Sequence, residues 1–191
     1  MPGALTAWRG SLSCVMELRV LTVGDWCTWR QLRLAALAEA PYAFGSRLAD
    51  WQGDGDREER WRERLAIPGS VNVVAVVDGQ PAGMVSGVLA GEGAAEMISL
   101  WVSPAVRGRG VADQLVQAVG GWARGIHAGV LLLAVTPGNE NAVALYRRHG
   151  FSYTGQAGEL MPDGVHRELL MARTLTETAD AWPPPPPSAG N

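Results

Sequence analysis

Two arginines and two glycines alternate in the segment R107-G-R-G-V-A112, which lies between an apolar stretch and a helical pattern. Glycine lets the backbone approach a ligand closely, and the first turn of a helix offers N–H groups without intrahelical partners. Arginine adds charge-assisted hydrogen bonds to phosphate oxygens. These residues therefore suit an anion-binding loop. The alternative is a tight turn that uses glycine for its backbone freedom, with arginines that only face solvent.

A strand and a helix flank this loop. Residues 95–102 have the apolar character of a strand, and Val111, Leu115, Val116 and Val119 recur at helical spacing after the loop. The loop is therefore expected to be a strand-to-helix turn, in which the helix N-terminus faces any bound anion.

The rest of the chain alternates apolar runs with amphipathic segments. Further strands are predicted at residues 16–23, 71–77, 81–89, 129–135, 151–157 and 165–174. Further helices are predicted from a cap at Asp25 to near Pro41, over 57–65, and from a cap at Asn139 to Gly150. The residues D78-G-Q80 predict a hairpin turn. The order β-α-α-β-β-β-α-β-α-β-β predicts an α/β fold, with a mixed α+β-type sheet and helices on both faces.

Composition limits the classes of function. The 191 residues are 47% hydrophobic, which suits one domain with a sizeable core, and all 16 basic residues are arginine. A net charge of −3 argues against general attraction to nucleic acid or an anionic membrane. No apolar run approaches the roughly 20 residues that span a bilayer. Cys14 and Cys27 have neither metal-ligand nor disulfide-framework spacing. These features predict a cytoplasmic protein with no metal, nucleic-acid or membrane partner.

The two ends of the chain differ from the part between them. Residues 1–15 show no clear period and are expected to be an extension, and residues 16–175 the folded domain. Residues 176–191 include the run A181-W-P-P-P-P-P-S-A-G-N191, which favours a disordered polyproline II tail.

The loop and the helix after Asn139 together resemble the GNAT superfamily of N-acetyltransferases. Residues 107–112 match the family's pyrophosphate loop position by position. The family's later helix is matched by Asn139, by Leu145 with Tyr146, and by Gly150 with Phe151. The resemblance covers about residues 16–175. It implies the acyl-CoA N-acyltransferase fold and acetyl-CoA-dependent acetylation of a primary amine.

The resemblance also implies where acetyl-CoA binds. In the family, the strand before the loop diverges from its neighbour, and its free backbone groups pair with the pantetheine arm. The implied cofactor-binding residues are Leu100, Trp101, Val102, Arg107, Gly108, Arg109, Gly110, Val111, Ala112, Asn139 and Tyr146. For residues 100–102, a plain core strand is the alternative.

Two catalytic residues follow from the same resemblance. Transfer requires an uncharged amine, but an alkylammonium with a pKa of about 10.4 is almost fully protonated at neutral pH. A base is therefore required to remove the proton. Glu96 occupies the position of the family's catalytic base, with a solvent-facing strand residue as the alternative. Tyr146 is implied as the proton donor to the departing thiolate, with a packed core tyrosine as the alternative. Backbone N–H groups near Leu100 and Trp101 are expected to stabilise the oxyanion.

The amine is expected over the other end of the diverging strands. Tyr42, Phe44 and Trp51, with Asp54 and Asp56 nearby, would suit a cationic amine or simply dock a helix on the sheet. His166 and Glu168 are expected on the surface or in a strand rather than in a pocket.

The acceptor itself stays open at this stage. Family members that modify ribosomal-protein N-termini have a glutamate where this chain has Ala134, which favours a small-molecule amine. A protein lysine or N-terminal acetyltransferase, and a non-catalytic acyl-CoA sensor, are the alternatives. Family members often pair through sheet edges, so the resemblance leaves a homodimer open, and no residue of the sequence indicates one.

Overall fold

The computed structural model describes residues 15–161 and 163–175. The expected extension, apart from Val15, and the expected proline-rich tail lie outside these residues. The strands are β1 (Met16–Val20), β2 (Val71–Val77), β3 (Gln80–Leu89), β4 (Ala94–Val102), β5 (Val130–Val135), β6 (Ser152–Leu160) and β7 (Arg167–Thr174). The helices are α1 (Trp26–Glu39), α2 (Glu58–Leu65), α3 (Val111–Gly125) and α4 (Glu140–Arg148). This order confirms the predicted α/β arrangement.

The described strands form one mixed sheet in the order β1-β2-β3-β4-β5-β7-β6. β4 and β5 pair in parallel, and the other neighbours pair antiparallel. The loop at 107–112 and helix α3 connect the two parallel strands, which is the crossover that a parallel pair requires. The segment that is expected to bind an anion therefore sits at the point where the sheet changes from antiparallel to parallel pairing.

Strand β2 shows how the sheet separates two cores. All of its residues are buried. Val73 and Ala75 pack in the cluster that contains the apolar face of α3, whereas Val74 and Val76 pack in the cluster that contains α1 and α2. Because successive side chains of a strand point to opposite faces, a strand that is buried on both faces confirms helices on both sides of the sheet.

Two local expectations at the first helix were wrong. β1 ends at Val20, because Val23–Asp25 form a 3₁₀ turn. Asp25 does not cap α1: its Oδ2 accepts hydrogen bonds from the backbone N–H and the hydroxyl of Thr22, both at 2.8 Å. The carboxylate therefore closes the preceding turn. Its position before α1 is the predicted one, but its hydrogen bonds are not.

The hairpin between β2 and β3 agrees with its sequence. Asp78 and Gly79 both have positive φ values, 51° and 79°. Two-residue hairpin turns of type I′ need this backbone, and aspartate followed by glycine supplies it at low cost.

Helix α3 packs so closely on the sheet that Gly87 of β3 has no room for a side chain. A Cβ built there would overlap the ring of Trp122. We expect Gly87→Ala to destabilise the fold by about 1–3 kcal/mol, because Trp122 must move within a packed core. Denaturant unfolding measures the loss. As a control, Gly125→Ala has open space and should be neutral or stabilising by roughly 0.5–1 kcal/mol. Equal stability of the two variants would contradict the prediction.

Within the described parts of the chain, no helix has both the length and the apolar character to cross a membrane.

Candidate active site

The parallel strands β4 and β5 pair along only part of their length. They pair at Ala94, Ala95 and Glu96, opposite Val130, Leu131 and Leu132. Beyond Glu96, β4 continues beside β3 as far as Val102, and β5 continues beside β7 as far as Val135. A gap therefore opens in the sheet after Glu96, as the resemblance implied.

A β-bulge in β4 accompanies the gap. Ser86 of β3 pairs with Ile98 and Met84 with Trp101, so β4 has an additional residue between these pairs. Ser99 lies at the bulge with a φ of 60°, a left-handed conformation unusual for serine. Because a bulge interrupts the hydrogen-bond ladder, it gives the backbone around Ser99 and Leu100 a direction different from the rest of β4.

A cavity of about 470 Å³, here called the loop cavity, lies at the open end of the gap. It is bounded by β4, the loop before α3, the first turn of α3, and α4. It is lined by ten of the residues implied to bind the cofactor: Leu100, Trp101, Val102, Arg107, Gly108, Gly110, Val111, Ala112, Asn139 and Tyr146. Arg109 lies instead beside Asp78, with Nη1 3.8 Å from Oδ2. Its contact with a phosphate stays a prediction.

The loop at the edge of the loop cavity has the backbone features of an anion site. Gly108 and Gly110 both have a φ of 77°, and a Cβ at either would meet no atom within 4 Å. Gly110 precedes the first residue of α3, whose first-turn N–H groups have no partner within the helix. Backbone donors at a helix start, next to space that side chains leave open, fit a pyrophosphate.

Arg107 is held in place by the protein. Its Nη2 donates to Glu39 Oε2 at 2.7 Å, and its Nε donates to the carbonyl of Val102 at 3.0 Å. Trp101 Nε1 also donates to Glu39 Oε2, at 3.0 Å. The hydrogen bonds from Arg107 and then Trp101 lower the pKa of Glu39. Arg107 thus fastens the loop to α1, and direct phosphate contact by it stays a prediction.

Asn139 and Tyr146 reach the loop cavity from α4. Asn139 caps this helix, because its Oδ1 accepts a hydrogen bond from the N–H of Ala142 at 3.3 Å. Tyr146 is 8% exposed, and its ring meets that of Phe151 edge-on at 6.0 Å. Burial raises the pKa of the Tyr146 phenol to about 12. The phenol is therefore protonated at neutral pH and able to donate a hydrogen bond.

A second cavity of about 310 Å³, here called the glutamate cavity, adjoins the first. Leu100, Ala134 and Tyr146 line both cavities, as do Ala43 and Phe44. The two spaces therefore meet at the gap between β4 and β5.

Two carboxyl groups line the glutamate cavity. Burial, and then the nearby charge of Glu159, raise the pKa of Glu96. The pKa of Glu168 is raised by burial and then by Glu159 and Glu96. Glu168, expected on the surface or in a strand, is in β7 and also lines this cavity. A raised pKa brings a carboxyl closer to the range in which it exchanges protons at neutral pH.

The three predicted substrate residues have different surroundings. Phe44 and Trp51 line the glutamate cavity, and Trp51 packs on Trp61 with ring centres 4.6 Å apart. Tyr42 is 62% exposed and lines the loop cavity.

The two nearby aspartates line neither of these cavities. Asp56 binds Arg30 and accepts a hydrogen bond from Trp61 Nε1 at 2.8 Å, so it ties the loop after α1 to both helices. His166 binds Asp163 at 2.6 Å, and both residues line a further cavity that shares Tyr42 and Phe44 with the loop cavity.

Sequence reasoning missed two arginines of the glutamate cavity, Arg33 and Arg64. Arg33 lies in α1 next to Leu32 and one turn after Trp29, within the helix's buried stripe. A charged residue inside an apolar stripe was the signal that could have revealed it.

Comparison with known proteins agrees with this geometry. Residues 32–151 match the model of the Acetyltransferase (GNAT) family. No curated protein sequence matches the chain. A GNAT-family acetyltransferase from Streptococcus pneumoniae is 19% identical, with 85% of this chain and 100% of that chain covered and a TM-score of 0.69.

Two further solved structures share the fold. The protein yncA from Salmonella typhimurium, solved with acetyl-CoA, is 22% identical, with 86% of this chain and 96% of that chain covered and a TM-score of 0.67. Nourseothricin acetyltransferase is 30% identical, with 57% of this chain and 67% of that chain covered and a TM-score of 0.53. Because the family model spans more than half of the chain and the fold agrees, this protein belongs to the GNAT family of acetyl-CoA-dependent acetyltransferases.

Proposed function

We propose that this enzyme transfers an acetyl group directly from acetyl-CoA to the primary amine of a small molecule. The main support for the proposal is that the loop cavity and the glutamate cavity share the lining residues Leu100, Ala134 and Tyr146. A donor site with an anion cradle thereby opens into a site lined by carboxyl groups. Direct transfer needs such a junction, because donor and acceptor must react while both are bound.

The loop cavity fits the donor in this proposal. Backbone N–H groups from Gly108 to Ala112 hold the pyrophosphate, with added charge from Arg107 and Arg109. The unpaired end of β4, at Leu100 to Val102, pairs with the pantetheine arm, and Asn139 borders the same space. Acetyl-CoA supplies the acetyl group as a reactive thioester.

Glu96 prepares the amine for attack. Its carboxylate accepts a proton from the ammonium form of the acceptor, directly or through a water molecule. Its raised pKa and its place in the glutamate cavity support this role. Phe44 and Trp51 form apolar walls for the acceptor, and Tyr42 borders the entrance.

Tyr146 acts on the leaving group, which is the sulfur of CoA. Its protonated phenol lines both cavities and donates a hydrogen bond to the sulfur as negative charge develops there. Backbone N–H groups at the bulge, near Leu100 and Trp101, stabilise the carbonyl oxygen in the same step.

A small acceptor is favoured over a protein. The glutamate cavity, at about 310 Å³, has the size of a small-ligand pocket. Ala134 lines both cavities at the position where the N-terminal-modifying subgroup has a glutamate. A protein lysine or N-terminus, and acyl-CoA sensing without turnover, are the competing functions.

Free-thiol release from acetyl-CoA tests the proposal across a panel of small amines, lysine-containing peptides and peptides with free N-termini. We expect small amines to give the highest kcat/KM. The chain contains no lysine of its own, so any acetyl-lysine comes from the added peptide. Faster acetylation of peptides would favour the protein-modifying function, and binding without thiol release would favour a sensor.

The role of Glu96 gives a pH-dependent prediction. At about pH 7, we expect Glu96→Gln to lower kcat/KM about 10-fold. This loss is smaller than is usual for removal of a general base, because Glu168 can accept the proton in its place. The deficit should shrink at about pH 9.5, where more of the amine is already uncharged. The exposed Glu17→Gln serves as the control. A deficit independent of pH would contradict the role of base.

A further inference from the structure

The glutamate cavity contains a buried positive charge that the chemistry above does not use. Arg33 lines this cavity and is 8% exposed. Its Nη1 has no hydrogen-bond partner among residues 15–161 and 163–175, although the atom is fully buried. The guanidinium carbon lies 4.7 Å from the centre of the Phe44 ring, which packs against it but accepts no strong hydrogen bond.

A second guanidinium stands nearby. Arg64 of α2 lines the same cavity and donates to Ser86 Oγ at 3.1 Å and to Asn72 Oδ1 at 3.3 Å. Both partners are neutral. Burial, and then the charge of Arg64, lower the pKa of Arg33 to about 10, so Arg33 is charged at neutral pH. Burial also lowers the pKa of Arg64, but a guanidinium in a protein stays protonated. In the described part of the chain, neither arginine forms an ion pair with a carboxylate.

Two buried like charges that have no carboxylate in direct contact are costly, and an unfilled donor adds to the cost. A bound anion would remove both costs. The phosphates of acetyl-CoA are not that anion in the proposed arrangement, because neither arginine lines the loop cavity. An acidic group on the acceptor is the remaining source of such an anion in the proposed reaction.

We propose that the acceptor is a zwitterionic small molecule of the amino-acid class, whose carboxylate binds Arg33 and Arg64 while its amine faces Glu96 and Tyr146. This inference rests on the proposed function and narrows its substrate class. Positive and negative side chains share one cavity of about 310 Å³ without pairing with each other, which matches a compact ligand with both charges. Arg33 and Arg64 are then specificity residues for the carboxylate.

The first experiment needs only the wild-type enzyme. The common L-amino acids are compared in the thiol-release assay, each beside its carboxamide and its decarboxylated amine. These analogues keep the side chain and the amine but lose the negative charge. For the best amino acid we expect kcat/KM to exceed that of its carboxamide by about 30-fold, as charge-assisted hydrogen bonds to a buried arginine imply. Equal values for the two forms would overturn the proposal.

Variants of Arg33 then test whether this residue causes the difference in kcat/KM between the amino acid and its carboxamide. Arg33→Met keeps an unbranched chain over Phe44 and should lower kcat/KM for the amino acid about 30-fold, with less than about a 3-fold change for the carboxamide. Arg33→Lys should recover part of the loss. Acetyl-CoA affinity and the unfolding midpoint show that each variant is folded. Arg19→Met, on the exposed side of β1, is the matched control. Equal losses on both substrates would overturn the assignment.

A binding measurement separates this inference from the function on which it rests. Thermal unfolding with CoA present reports stabilisation by an amino acid and by its carboxamide without any turnover. Absence of thiol release from every amine would contradict the proposed function. Stabilisation by the amino acid that exceeds that by the carboxamide would still support the anion site, whereas equal stabilisation would overturn it.

Discussion

Gly110→Glu should weaken acetyl-CoA binding by at least about 100-fold, because it places a negative charge where the pyrophosphate is expected. Gly110 stands immediately before α3, and a side chain there would enter open space beside the helix N-terminus. The carboxylate would occupy the cradle and form favourable contacts with the same N–H groups that the phosphates need. It would therefore act both as a competitor and as a like charge. Calorimetric titration with acetyl-CoA measures the loss.

The control for this variant must share its backbone strain. Gly110 has a φ of 77°, so any side chain there costs about 1–3 kcal/mol of stability regardless of ligand. Gly93 has a φ of 67° and also open surroundings, but it lies before the first residue of β4, at the other end of the strand. Gly93→Glu should therefore lose stability and keep its acetyl-CoA affinity. Unchanged binding by Gly110→Glu would mean that the segment is only a turn.

The parts of the site that the sequence could predict are those made by neighbouring residues. The glycine loop, the start of α3 and the cap at Asn139 are all local features, and each depends on a few consecutive side chains. The succession of strands and helices along the chain followed from apolar runs for the same reason. The gap between β4 and β5 was implied by the resemblance alone, since the residues of an open strand do not differ in type from those of a closed one.

Contacts between distant elements could not be predicted in this way. Glu39 at the end of α1 binds Arg107, which is 68 positions later in the chain. Glu168 reaches the cavity of Glu96 because β7 lies next to β5 in the sheet order. Arg33 and Arg64 come together through the packing of α1 on α2. No local pattern specifies these pairs, because each depends on the final arrangement of the sheet and its helices.

Of these unpredicted contacts, those of Glu168, Arg33 and Arg64 belong to the cavity that side chains form, and the predicted glycine loop belongs to the cavity that the backbone forms. In the proposed arrangement, the backbone of one loop and one open strand provides the loop cavity for the donor. Side chains from the helices and from the strands on each side of the gap provide the glutamate cavity for the acceptor. A backbone site tolerates sequence change as long as its glycines remain, whereas a side-chain site changes with each substitution. Acceptor specificity is therefore expected to depend on residues such as Arg33 and Glu168, which lie outside the two motifs that carry the resemblance.

Tyr146→Phe should lower kcat about 100- to 1000-fold and leave the dissociation constant of acetyl-CoA nearly unchanged. The substitution removes the phenolic hydroxyl and keeps the ring that packs against Phe151. Tyr146 lines both cavities, and in the proposed mechanism its hydroxyl stabilises negative charge on sulfur as the bond to the acetyl group breaks. That charge develops only during the reaction, so its loss should affect turnover and not donor binding.

The pH dependence distinguishes this role from that of a base. With its pKa raised to about 12, the Tyr146 phenol does not ionise in the range of the assay, so the ratio of wild-type to variant kcat should stay constant between about pH 6 and 9. Tyr153→Phe is the matched control, because this tyrosine is exposed on β6. A variant rate that approaches the wild-type rate as the pH rises would assign Tyr146 to proton removal, and an unchanged kcat would leave it as a packing residue.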